Sequence, residues 1–125
     1  VDLVLTGHSH SYERSYLLDG YYAFSWDFSD AYKKAPGDGS PEGDGAYVKA
    51  GSGQESHAGA VYAVAGSSGQ TSGGSLDHPA MVRALNVLGS LVLDVDGDRL
   101  DAKFLDDSGV VRDSFAIVKG PVAPR

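Results

Sequence analysis

The chain has 125 residues, a formal net charge of -7 and no cysteine. That length suits one domain or part of one, and 42% hydrophobic residues are enough for a packed core. The acidic balance argues against nucleic acid or an anionic membrane surface as a partner, since both want clustered Lys and Arg. The lack of thiols excludes disulfides, thiolate metal sites and a cysteine nucleophile.

Residues 1–5 (VDLVL) read as a strand, apolar at four of five positions, as expected where both faces are covered. The chain does not open on Met, and its first residue reads as the inside of a strand. The expectation is therefore a piece of a longer protein. No apolar run approaches the ~20 residues of a membrane span. Gly7 ends the strand and permits close backbone approach. Two of the 4 histidines, His8 and His10, follow at once. Residues 12–22 (YERSYLLDGYY) predict a strand, a turn at Leu18-Asp19-Gly20-Tyr21 and a second strand, because Asp-Gly favours a hairpin. Tyr21, Tyr22, Phe24, Trp26 and Phe28 alternate, which predicts core or a cover over a site entrance, with substrate stacking as the alternative.

Residues 35–45 (APGDGSPEGDG) form a Gly/Pro/Asp-rich loop with little prospect of a fixed core. Residues 60–65 (AVYAVA) read as a short apolar strand. Residues 66–74 (GSSGQTSGG) read as a flexible or ligand-facing loop; without Lys they fit no phosphate-loop motif, and their glycines allow backbone approach or flexibility. Pro79 at a first-turn position, with Met81, Leu85 and Leu88 at i, i+4, i+7, predicts one or two helical turns. Residues 90–95, 99–105 and 110–118 predict three antiparallel strands joined by short turns, with Leu100, Ala102 and Phe104 on an apolar face. Asp94, Asp96 and Asp98 surround Gly97 without EF-hand spacing, so a hairpin turn is expected there. His57 and His78 read as plain loop residues, although His78 could reach a substrate from the long Gly/Ser loop. Residues 120–125 are expected to fray.

Residues i and i+2 of an extended segment point the same way. His8 and His10 would then project from one side of the loop leaving the first strand. Imidazole is the commonest protein ligand for divalent metals. Two rings ~6–7 Å apart could hold one ion jointly, or one each of two ions ~3.5–4 Å apart. Tyr12, Glu13 and Arg14 follow directly. Tyr12, Glu13 and Arg14 are expected to buttress the histidine loop, with Glu13 as acceptor for a ring nitrogen that faces away from metal. The other reading is a Glu-Arg pair on a solvated strand.

The stretch Gly7-His8-Ser9-His10-Ser11-Tyr12-Glu13-Arg14, after an apolar strand, resembles the Gly-His-x-His motif of the calcineurin-like metallophosphoesterases. It is similar above all to their purple acid phosphatase branch. Residues 60–69 and 89–119 resemble, more loosely, the strand with its Gly-rich turn and the terminal strands of that family. The resemblance implies an α/β fold, a four-layer α/β/β/α sandwich of which residues 1–125 are the C-terminal, mainly β part, with the N-terminal half absent. It implies two metal ions, Fe with Zn, Mn or Fe, and a small phosphate-ester substrate. By that resemblance His8 binds the divalent metal and His10 the other, Fe(III) in purple acid phosphatases. The implied reaction is hydrolysis of phosphate monoesters, with a secreted or periplasmic address; no residue is assignable as the general acid. The family's other ligands, from an Asp-x-His or Asp-x-Gly segment, a bridging Asp, an Asn-His segment and a further His, precede Gly-His-x-His and have no counterpart in these 125 residues. The isolated chain is therefore expected to be inactive, and its first strand, without sheet neighbours, is expected to make it poorly soluble or self-associating. A second reading is a non-catalytic β-rich module, with His8 and His10 structural or holding one adventitious ion. A third is a phosphodiesterase of the same superfamily.

Overall fold

Among the described residues eight strands account for nearly all the regular structure: β1 (Leu3–Thr6), β2 (Tyr12–Leu18), β3 (Tyr47–Lys49), β4 (Ala60–Ala65), β5 (Met81–Leu85), β6 (Gly89–Asp96), β7 (Arg99–Asp106) and β8 (Val111–Lys119). The structure is a computed structural model that describes residues 1–35, 37–49, 57–72 and 74–120. All but the first residue of the tail expected to fray lies outside the described residues. The only helices among them are single 3-10 turns at Ser25–Asp27 and Asp30–Tyr32, and none is long and apolar enough to cross a membrane.

The strands form two mixed sheets, ordered β1-β4-β2-β5 and β3-β8-β7-β6. β1 runs parallel to β4, and β3 parallel to β8; the remaining pairs are antiparallel. The chain is thus mainly β. The C-terminal strands fall within a residue or so of the expected bounds. Their connections are the expected turns: Gly97 takes φ 59 at the first central position of the two-residue β6–β7 loop, where a positive φ suits the strand twist. Ala102 and Phe104 are buried while Lys103 is exposed, as the alternation requires.

Four expectations are corrected. Residues 81–85 form strand β5, not helical turns, because they pair with Tyr12, Glu13, Arg14 and Ser15 along β2. A helix there would leave that side of β2 with unpaired backbone groups. The second strand of the 12–22 hairpin does not form. Gly20 turns the chain with φ 81, but β2 already has β4 on one side and β5 on the other. The aromatic run that follows is not core: Tyr22, Phe24 and Trp26 are 95%, 64% and 77% exposed. The described residues of the 35–45 loop are also fixed against the core. Asp38 Oδ1 accepts from the Ser40 and Asp44 amides, the Ala116 amide donates to the Gly39 carbonyl, and Ala35 is buried. Gly39 is obligatory, with φ 79 and space for a Cβ only inside the Tyr47 ring. β3 has only three residues, too few for a readable period.

The sheets face each other across Leu17, Tyr47, Val61, Ala102, Phe115 and Ile117. Burying each large apolar side chain is worth about 1.5–3 kcal/mol. A polar clamp crosses the same core. Tyr12 and Arg14, two apart on β2, point to the second sheet. The Tyr12 ring stacks on Phe104 with centroids 4.2 Å apart. Arg14 donates to Asp113 of β8 from Nε (2.8 Å) and Nη2 (2.9 Å). Its Nη1 donates to the Tyr47 hydroxyl (2.6 Å) and to the Asp38 carbonyl. The Tyr12 hydroxyl donates to Asp113 Oδ2 at 2.6 Å, and the Tyr47 hydroxyl donates to the Ser15 carbonyl at 2.6 Å. Arg14 is 1% exposed, so it is no member of a solvated pair. Such a buried charge is tolerable because nearly every donor and acceptor is matched.

Candidate functional site

The site begins where β1 stops. Beyond Thr6 the Ser9 amide donates to the Gly7 carbonyl at 2.9 Å, closing a three-residue turn around His8, whose φ is 73. A γ-turn of positive φ is rare and strained, and backbone in such regions costs roughly 1–3 kcal/mol. The segment is therefore not extended at His8. The i, i+2 argument does not set the directions of the two rings; the turn does.

Two features hold this turn against the connection that leaves β4. The Gly66 amide donates to the Ser11 carbonyl at 3.0 Å. A Cβ on Gly66 would lie 1.9 Å from the Ser9 carbonyl oxygen, so only glycine lets the two backbones come this close. Further along, Ser72 grips His10 twice. Its hydroxyl lies 3.1 Å from His10 Nδ1, and its amide donates to the His10 carbonyl at 3.1 Å. Close approach, one of the two roles expected for the glycines of residues 66–74, applies at Gly66, whereas Gly69 has open space where its Cβ would be.

His8 is exposed and His10 half-buried, and the two share one short loop. Glu13 is half-buried on β2, but its Oε2 accepts from the Ser11 hydroxyl at 2.8 Å, and Ser11 Oγ is 3.3 Å from Ser9 Oγ. Glu13 thus braces the loop through a serine, and the hydrogen-bond partner of the His10 ring is Ser72. Tyr12 is wholly buried and aimed at Asp113. Burial first, then the Asp113 carboxylate, push its phenol far above the usual range, so it remains a hydrogen-bond donor. Tyr12 therefore acts on the loop by fixing the start of β2, two residues after His10. Ser67, next to Gly66, has a buried hydroxyl without a hydrogen-bond partner among the described residues.

The lone histidines have structural duties. His57 Nδ1 pairs with Asp19 at 3.0 Å, and His78 Nδ1 accepts from the Ala80 amide at 3.0 Å. Among the described residues no group of three or more His, Cys, Asp or Glu side chains gathers where it could hold a metal ion. The pair at positions 8 and 10 offers two imidazoles, and the Ser72 contact commits Nδ1 of His10, so Nε2 is the nitrogen left to meet an ion. That donor set fits part of a metal site. Sequence reasoning missed Ser72, Ser11 and Asp113. Ser72 is one serine in a Gly/Ser-rich run, and nothing in that run marks it out.

Comparison with known proteins finds no matching family model, no matching curated protein and no matching solved structure.

Proposed function

We propose that this chain is the C-terminal, mainly β part of a metallophosphoesterase domain of the four-layer α/β/β/α kind, and that His8 and His10 supply two ligands of a two-metal site. The observation that carries this reading is the placement of Gly7-His8-Ser9-His10. The motif stands at the end of a strand paired in parallel, in a strained turn braced from behind by Gly66 and Ser72. Strain held in this way is characteristic of functional loops. Among the described residues β1 lies at the end of its sheet, with β4 as its one neighbour, and Leu5 is 48% exposed. Further strands of the same domain would pair with that edge and cover it.

Two bound cations would offset phosphate charge and lower the pKa of bound water towards neutrality. The roles of this chain's own residues follow from their contacts. His8 and His10 present ring nitrogens, Ser72 fixes the His10 ring, and Gly66 sets the depth of the loop. The Ser11–Glu13 hydrogen bond and the Tyr12–Asp113 clamp hold the start of β2. The remaining ligands would come from polypeptide ahead of Val1: an Asp-x-His or Asp-x-Gly segment, a bridging Asp, an Asn-His segment and a further His.

The test is a polypeptide extended upstream, loaded with iron and a second metal, and assayed on an aryl phosphate monoester. Hydrolysis that His8→Ala and His10→Ala each abolish, with unchanged melting temperatures, is the expected result. An upstream sequence lacking those segments, or hydrolysis indifferent to both substitutions, overturns the proposal. Preference for a diester over a monoester would assign a phosphodiesterase instead.

A further inference from the structure

A neutral imidazole carries one N–H and one lone pair, so the partner of one ring nitrogen decides what the other can do. For His10 that partner is Ser72, 62 residues further along the chain, with Oγ 3.1 Å from Nδ1. The ring is not left to swing. The Ser72 amide also donates to the His10 carbonyl, so one residue grips both the backbone and the side chain of the other. The carboxylate nearest in sequence, Glu13, is engaged by Ser11.

We propose that Ser72 is a positioning residue for His10: its hydroxyl accepts from Nδ1–H and leaves the Nε2 lone pair as the atom that meets a metal ion. This rests on the metal-site reading above. The opposite polarity, with the hydroxyl donating to Nδ1, puts the ring proton on Nε2 and removes the lone pair a cation needs. Gly66 makes the grip possible, since any side chain there drives its connection away from Ser9.

The test uses the full polypeptide that carries this chain, stripped of metal and labelled with nitrogen-15 at histidine. Long-range nitrogen–proton correlations identify the tautomer of each ring. The wild type is expected to hold His10 as the Nδ1–H form, Ser72→Ala to release it to a mixture, and Ser72→Thr to retain it. In parallel, zinc affinity is expected to fall about 10–100-fold in Ser72→Ala and to recover in Ser72→Thr, with melting temperature unchanged. An Nε2–H wild type, or a Ser72→Ala protein with wild-type tautomer and affinity, overturns the role of Ser72. His10→Ala separates the two levels. If it abolishes zinc binding while Ser72→Ala does not weaken it, only the positioning role fails. If His10→Ala itself leaves zinc binding intact, the metal reading fails and the role of Ser72 falls with it.

Discussion

Asp113→Ala is the most exacting perturbation of the fold. In the wild type Asp113 accepts three hydrogen bonds, two from Arg14 and one from Tyr12, and both donors are at most 1% exposed. Removing the carboxylate leaves a buried guanidinium without its counter-charge. Breaking a buried ion pair from one side costs about 3–5 kcal/mol, against a total domain stability of about 5–15 kcal/mol. Arg14 keeps its bonds to Tyr47 and the Asp38 carbonyl, which places the expected loss near the lower end, about 3 kcal/mol. Replacing both partners removes the unpaired charge as well as the pair. Arg14→Met with Asp113→Leu is therefore expected to recover most of the loss. Urea unfolding of the single and double variants, followed by circular dichroism, measures both quantities. A loss below about 1 kcal/mol for Asp113→Ala, or a double variant as unstable as the sum of the singles, would refute the account of the clamp.

Three further outcomes follow from other parts of the fold. In Gly66→Ala the histidine loop must move by about 1.5 Å for the new Cβ to reach ordinary contact with Ser9. Overpacking of that kind costs about 1–3 kcal/mol. Gly69→Ala, facing open space, should cost less than about 0.5 kcal/mol, and equal melting temperatures for the two would contradict the role of Gly66. Burial pushes the Tyr47 phenol up to about 12. The folded state thus holds a proton that the unfolded chain releases near pH 10, so stability falls as pH rises between about 10 and 12, by about 1.4 kcal/mol per pH unit for this group. A Tyr47→Phe variant should lose that share of the slope in alkaline melts. At the acid end, Arg112 and the Val110 and Ser108 amides hold the Asp106 carboxyl below its usual range. Its contribution is present above the ordinary carboxylate pKa and fades as pH falls through the lowered value. Acid melts of Asp106→Asn should therefore show a shallower decline than the wild type.

What was legible in the sequence was local. β4, β6, β7 and β8 announce themselves by apolar runs, alternation and short turns containing Gly97 or Gly109, and each forms within a residue or so of its expected bounds. The spacing in β5 suits a helix as well as a strand; the free side of β2, an element distant in sequence, decides the matter. The hairpin after Leu18 failed for the same reason, since Asp-Gly proposes a turn but cannot reserve a place in the sheet. At the candidate site, His8 and His10 stood out by residue type. Their brace did not, because Ser72 and Gly66 meet them only through the fold. Tyr12 was expected beside the histidines and lies next to them in sequence, yet the alternation of β2 turns it into the core towards Asp113.

The central claim is that His8 and His10 form half of a cation site whose carboxylate half lies on preceding polypeptide. Metal content and calorimetric titration of the upstream-extended protein, alone and with both histidines replaced by alanine, test it most directly. Two bound ions in the wild type, with uptake lost in the double variant, are the predicted result. Normal metal uptake by the double variant would contradict it.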